Sequence, residues 1–296
     1  NYILDSTTVK HNKSTSPQLQ SSSSQHILMN SLKSSLSWLL AAIAATTATI
    51  ATNVSMCDDN DWHITFHEEF TGTQLNSSNW IALDNKTHGT TEKELYLANN
   101  VRVENGTLIL TTKEQKAIHS ATQQRYNFTS GWVESKHKRS QKYGRFEVRA
   151  KLPSPDVGMP GQWPSAWPAH WLMPDDSSIC WPVGGEIDIM EAYRPTPSGQ
   201  GSVLMTYHWA STCNQDQWDR KFGKFPNTSN ETVIDWFHEY HTFGVEWKTD
   251  TIEWYIDGVI KYVRTKDQPK GLFIPDTPFY MILNTAMEPW SDHTLD

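Results

Sequence analysis

From residue 62 onward, apolar and polar residues alternate along much of the chain. Arg145-Phe-Glu-Val-Arg-Ala-Lys-Leu152 puts Phe146, Val148, Ala150 and Leu152 on one face and the charged residues on the other. That two-residue period predicts a half-buried antiparallel strand. Val101 and Val103 precede Asn105-Gly106, with Leu108 and Leu110 beyond it. Ile252-Glu-Trp-Tyr-Ile256 likewise leads through Asp257-Gly258 into Val259-Ile-Lys-Tyr-Val263. Asn-Gly or Asp-Gly between alternating runs predicts a tight hairpin. Phe279-Tyr-Met-Ile-Leu283 predicts a further strand, and Asp235-Trp-Phe-His-Glu-Tyr240 a single helical turn. Many short strands with turn signals and almost no helix predict an all-β sandwich or barrel. A stretch of about 235 residues suits one such domain.

The first 56 residues lack this pattern. Residues 1–28 are rich in Ser, Thr and Gln and are read as an unstructured leader foreign to the domain, with Met29 as the natural start. After Lys33 comes Leu36-Ser-Trp-Leu-Leu-Ala-Ala-Ile-Ala-Ala, then small residues, with no charge before Asp58. A basic start, an apolar middle and a small-residue exit predict a secretory signal peptide over 29–56. The alternative, a membrane anchor, needs about 20 strongly apolar residues, and Ser and Thr dilute this run. Asn53, Asn76, Asn85, Asn105, Asn127, Asn227 and Asn230 each begin an N-x-S/T acceptor, which suits a secreted glycoprotein. In an oxidising compartment the expected disulfide joins Cys180 and Cys213 and leaves Cys57 over. No cysteine or histidine spacing suggests zinc.

Composition narrows the partners. The 296 residues carry a net charge of −8, and no basic run offers a footprint for nucleic acid or an anionic membrane. The 14 tryptophans serve mostly as core. Several, however, sit beside Gly, Pro and acidic residues, where an exposed ring suits the apolar face of a sugar.

The chemistry concentrates in Trp181-Pro-Val-Gly-Gly-Glu186-Ile-Asp188-Ile-Met-Glu191. In a strand Glu186 and Asp188 share a face, whereas Glu191 lies an odd number of residues from Glu186. A β-bulge near Met190 returns Glu191 to that face. Three carboxyls so placed repel one another, and at least one holds its proton at a raised pKa. A protonated acid beside an ionised carboxylate is what glycosidic cleavage with retention requires, the two groups lying about 5–5.5 Å apart. A solvated acidic face is the bland reading, disfavoured by the apolar and glycine-rich setting. A calcium site is disfavoured because such sites draw on flexible loops.

Gly185-Glu-Ile-Asp-Ile-Met-Glu191 resembles the bulged E-x-D-x-x-E signature of glycoside hydrolase family 16. The resemblance extends over about 62–290 through Phe66-His-Glu-Glu-Phe70, Tyr143-Gly-Arg-Phe-Glu-Val-Arg-Ala-Lys-Leu-Pro153, Trp167-Pro-Ala-His-Trp-Leu-Met173, Phe243-Gly-Val-Glu-Trp247, Tyr255-Ile-Asp-Gly258 and Phe279-Tyr-Met-Ile-Leu-Asn284. It implies a concanavalin A-like β-jelly-roll sandwich with a concave sugar-binding cleft. It further implies Glu186 as nucleophile, Glu191 as general acid/base and Asp188 as the residue assisting between them. Trp181 and His208 are implied as sugar contacts, with Trp163 and Trp171 as weaker aromatic candidates.

The bulged spacing fits the laminarinase-like branch, so the expected activity is endo-hydrolysis of β-1,3-glucan or mixed β-1,3/1,4-glucan by a secreted monomer. Agar- and carrageenan-cleaving members share the bulge. A glucan transglycosylase and a non-catalytic β-glucan-recognition protein are the alternatives. No cofactor is required, no protein partner is implied, and the family allows a structural calcium ion. Two departures stand out. The closing strand typical of the family is missing, so 57–296 is read as a hydrolase domain without its C-terminal strand. Ser130-Gly-Trp132 also stands where an Arg is common.

Overall fold

The computed structural model describes residues 2–12, 62–88, 92–153, 166–193, 202–213, 217–224 and 239–287. The alternating segments form two large antiparallel sheets. The back sheet runs in spatial order β18 (Val259–Thr265), β17 (Thr251–Ile256), β16 (His241–Trp247), β11 (Gly144–Lys151), β1 (Tyr2–Asn12), β6 (Thr107–Leu110) and β5 (Val101–Glu104), with β2 (Trp62–Glu68) also paired to β1. The front sheet runs β15 (Gln217–Lys224), β14 (Ser202–Trp209), β13 (Glu186–Tyr193), β12 (Ala166–Pro174), β19 (Phe279–Met287), β9 (Trp132–Glu134) and β3 (Ile81–Ala82), with β10 (Ser140–Gln141) also on β19. A small third sheet joins β4 (Glu94–Tyr96), β8 (Arg125–Ser130) and β7 (Lys113–Ile118). Among the described residues the only helix is the 3-10 turn Ala98–Asn100.

Both hairpins form where the turn chemistry places them. Asn105 and Gly106 have φ of 51° and 74°, and Asp257 and Gly258 have 49° and 76°. Paired positive φ values are the type I′ geometry that matches strand twist. Phe146, Val148 and Ala150 of β11 face the front sheet's Leu172, Ile187, Met281 and Leu283 across one core. Trp247 and Trp254 are completely buried within it. This is the expected sandwich of the jelly-roll class.

Residues 2–12 correct the reading of an unstructured leader. They form β1, which pairs with β11 from Ile3 to Lys10, with β6 through Tyr2–Leu4 and with β2 through Thr7–Asn12. Leu4, Thr7 and Val9 are buried. A register shift between Leu4 and Ser6 explains why the strand escaped notice. The bulge breaks the two-residue period, so the inward positions 4, 7 and 9 do not alternate on paper.

The remaining N-terminal readings, 13–28 and the signal peptide over 29–56, lie outside the described residues, as do Cys57 and the chain end at 288–296. So do residues 235–238 of the expected helical turn; 239 and 240 are not helical.

Candidate active site

Strand β13 carries the three acids. Glu186 pairs with His208 and Asp188 with Thr206, but the register then shifts and Glu191 pairs with Leu204. On its other side Trp171 opposes Asp188, while His170 opposes Met190. Ile189 is therefore the extra residue. Its side chain and that of Met190, although adjacent, both point into the inter-sheet core with no exposed surface. Doubling the inward residues leaves Glu186, Asp188 and Glu191 together on the opposite face, where all three line one cavity. The bulge is tied across the core, since the indole N–H of Trp254 on β17 donates to the backbone carbonyl of Asp188 at 2.8 Å.

The approach to the strand is fixed as firmly. Gly185 has φ +83°, and a Cβ there would press on Tyr207 at 3.2 Å, so the turn into Glu186 needs glycine. Cys180 and Cys213 form a disulfide, Cα atoms 5.7 Å apart. It ties the loop before β13 to the loop after β14. Between that disulfide and Gly185, Trp181 is 39% exposed, unusual for so large an apolar side chain. Its Nε1 donates to Glu186 Oε2 at 2.7 Å, and its ring lies 5.8 Å from that of His208.

Each acid has its own partners. His208 Nε2 stands 3.3 Å from Asp188 Oδ2 and 3.8 Å from Glu186 Oε1. Glu191 accepts from Trp167 Nε1 at 3.0 Å and Thr206 Oγ1 at 3.2 Å. Burial raises the Glu191 pKa to about 7, with His208 opposing the rise and Glu186 adding to it. Burial also raises Glu186 and Asp188, and for Glu186 the charge of Asp188 is the next cause. Two buried carboxyls that face each other cannot both ionise readily, so this pair holds a proton between them.

Of the residues expected to contact sugar, Trp181 and His208 stand beside the acids. Trp171 is buried on the acids' side of β12, with its indole donating to Asn284 Oδ1 at 2.9 Å. Trp163 lies outside the described residues. Sequence reasoning missed His88, Glu92, Trp132, Trp167 and Asn284. Trp132 packs edge-on against Trp171, ring centroids 5.5 Å apart, and the others line the same cavity as the acids. Trp132, Trp167 and Asn284 sat in segments already singled out, whereas His88 and Glu92 did not.

Among the described side chains no cluster of oxygen donors offers a site for the structural calcium ion that the family allows. Among the described residues the group with metal-ligand spacing is Glu186, Asp188 and His208. It includes an imidazole nitrogen, whereas calcium selects oxygen donors.

Comparison with known proteins places residues 63–296 in a family model described as the beta-porphyranase A-D, GH16 domain. The chain is 33% identical over 245 residues to the glucan endo-1,3-beta-glucosidase A1 of Niallia circulans, an alignment covering 76% of this chain and 34% of the relative. It is 31% identical over 190 residues to the endo-1,3-1,4-beta-glycanase EglC of Rhizobium meliloti, covering 64% of this chain and 34% of that protein. The chain thus spans about a third of the length of both relatives. Its fold superposes on the catalytic domain of an endo-1,3-beta-glucanase (laminarinase) from Thermotoga petrophila with a TM-score of 0.60 at 28% identity, covering 74% of this chain and 84% of that one.

Proposed function

The chain belongs to glycoside hydrolase family 16, and from that premise we propose that it cleaves β-1,3-glucan or mixed β-1,3/1,4-glucan internally, with retention of configuration. The observation that carries this reading is the bulge at Ile189, which gathers Glu186, Asp188 and Glu191 on one face of β13.

In this reading Glu186 attacks the anomeric carbon while Glu191 gives its proton to the departing glycosidic oxygen. Glu191 then takes a proton from the water that releases the glycosyl-enzyme. A pKa near 7 leaves Glu191 protonated in weakly acidic solution, as the first step requires. In the resting site the pair holds its proton mainly on Glu186, the more strongly raised of the two; the attack requires that proton to pass to Asp188, which leaves Glu186 ionised. His208 faces both carboxyls and steadies the negative charge of the pair. Trp181 offers its exposed ring to the apolar face of a sugar.

The cleft's charge favours a neutral glucan. Among the described residues the cavity beside the acids is lined by Glu92, Glu186, Asp188 and Glu191 against the imidazole of His88, with that of His208 beside Glu186 and Asp188. A sulfate or carboxylate on the sugar at the cleaved bond would be repelled there. A screen of laminarin, lichenan, agarose, carrageenan and porphyran, with products read by chromatography, tests the reading. Shortened oligosaccharides from the two glucans are expected. Cleavage of a sulfated galactan with both glucans untouched would overturn it, and elongated chains at high acceptor concentration would mark a transglycosylase. Activity on glucan is expected to fall as pH rises through about 7, because Glu191 then loses the proton it must donate.

Secretion is part of the same proposal. The Cys180–Cys213 disulfide suits an oxidising compartment, and Asn76, Asn105 and Asn127 are exposed at their acceptor sequences.

A further inference from the structure

His88 sits on the connection between β3 and β4, far in sequence from the acids, yet it lines the same cavity. Its ring is held on three sides. It lies 5.1 Å from the Trp132 ring and 5.5 Å from the Trp171 ring, and Nδ1 is 3.0 Å from Glu92 Oε1. Glu92 is itself anchored: Tyr96 Oη donates to Glu92 Oε2 at 3.1 Å, Asn284 Nδ2 donates to Tyr96 Oη at 3.2 Å, and Trp171 Nε1 donates to Asn284 Oδ1. Every link runs donor to acceptor toward the Glu92 carboxylate, so the hydrogen bond fixes Nδ1 of His88 as a donor to Glu92. Nε2 is left as the imidazole's other hydrogen-bonding atom, on a side chain that is half exposed.

We propose that His88 is a substrate-binding residue, its Nε2 hydrogen-bonded to a hydroxyl of the sugar seated beside the acids, with Glu92 as the positioning residue that aims it. Its place follows from the strand order. Trp171 and Trp132, on which the ring rests, lie on β12 and β9, and the acids lie on β13. Strands are spaced about 4.8 Å apart, close to the length of one sugar unit, so the imidazole stands one or two units along the cleft. Burial works against a charge on His88, but the hydrogen bond and charge of Glu92, with the charges of Glu186 and Glu134, raise its pKa above the ordinary histidine value. Glu94, buried beside Glu92, belongs to the same acidic cluster. With Nδ1–H committed to Glu92, Nε2 accepts from a sugar hydroxyl when the ring is neutral and donates to one, as a charge-assisted bond, when the ring is protonated.

The proposal rests on the glucanase reading, and its test separates the two. Kinetics on glucan oligosaccharides of defined length would be measured for the unaltered protein, His88→Ala, His88→Gln and Glu92→Gln. Calorimetric binding of the same oligosaccharides would use protein inactivated by Glu186→Gln, with and without His88→Ala. Loss of one charge-assisted hydrogen bond should weaken binding about tenfold. His88→Ala is therefore expected to raise KM by that factor with kcat little changed, and His88→Gln, which keeps a donor, to recover part of it. Glu92→Gln removes the main charge that favours protonated His88, so the rise of KM with pH should begin at lower pH. An unchanged KM and unchanged oligosaccharide binding in His88→Ala would overturn the inference, as would equal losses in His88→Ala and His88→Gln accompanied by a lowered melting temperature. An unaltered protein that binds oligosaccharide through His88 without cleaving it would sink the hydrolase reading and leave the binding role standing.

Discussion

The back and front sheets are built on the same two-residue period but treat their second faces differently. In the back sheet β11 buries Phe146, Val148 and Ala150 and turns Glu147, Arg149 and Lys151 outward, and at its edge β18 leaves Val259, Ile260 and Val263 to solvent. In the front sheet β19 is buried along all nine residues. Its far side carries Tyr280 and Ile282, which pack with Tyr96, Trp132, Ala169 and Trp171 into a second apolar cluster. Both sheets contain an irregular strand, β1 in the back and β13 in the front. Only the front sheet turns its irregularity to chemistry, supporting an aromatic floor and three carboxyls, Asp188 buried and Glu186 and Glu191 half-buried. Stability is the business of the first sheet, and the second gives some of it up for chemistry.

That contrast can be broken first at β1. Leu4 has no exposed surface, and Leu4→Asp would bury an unpaired charge at the centre of the back sheet, costing more than about 4 kcal/mol. Val259→Asp, at the exposed edge of the same sheet, should stay within about 0.5 kcal/mol of the parent. Urea unfolding of both proteins checks the pair, and equal losses would mean that β1 does not hold the sheet.

Glu191→Gln should cut glucan hydrolysis by about a thousandfold while leaving the fold intact. It should also show the cost of the site. The folded protein keeps a proton on Glu191 up to about pH 7, whereas the unfolded chain loses it near the ordinary value of 4.5. Stability therefore drains away as pH rises between those values, and the full penalty stands above pH 7. Glutamine never carries that charge. The variant should melt with the parent near pH 4.5 and gain roughly 3 kcal/mol on it by pH 8. A constant difference at every pH would contradict the raised pKa.

Trp254→Phe sharpens the comparison by cutting the link between the sheets. It leaves the Asp188 carbonyl without the indole donor, at about 2 kcal/mol, and loosens the bulge that aligns the acids. Activity should drop by more than the fraction unfolded explains, and a loss confined to stability would separate the bulge from this hydrogen bond. The smallest effect lies at Thr7, fully buried with no hydrogen-bond partner for its hydroxyl. Thr7→Val should raise stability by about 1 kcal/mol, readable as a higher urea midpoint.

The two bulged strands show how legible an irregularity is. In β13 the acids at 186, 188 and 191 made an extra residue necessary, because only a bulge lets all three meet one substrate. In β1 the same device separates Leu4 from Thr7, but Leu, Thr and Val state no chemical purpose, and the segment passed for leader.

By itself, the sequence determined what depends on near neighbours: the alternation of β11, the Asn-Gly and Asp-Gly hairpins, and the acidic strand with its bulge. Each is a matter of backbone geometry within a few residues, where side-chain direction follows directly from spacing. Only the tertiary structure decided that residues 2–12 complete the back sheet beside β11, that Trp254 reaches the carbonyl of Asp188, and that His88 and Glu92 face the acids. These contacts join positions far apart along the chain. Packing and hydrogen-bond satisfaction select them once the sheets have stacked, and no local period records them.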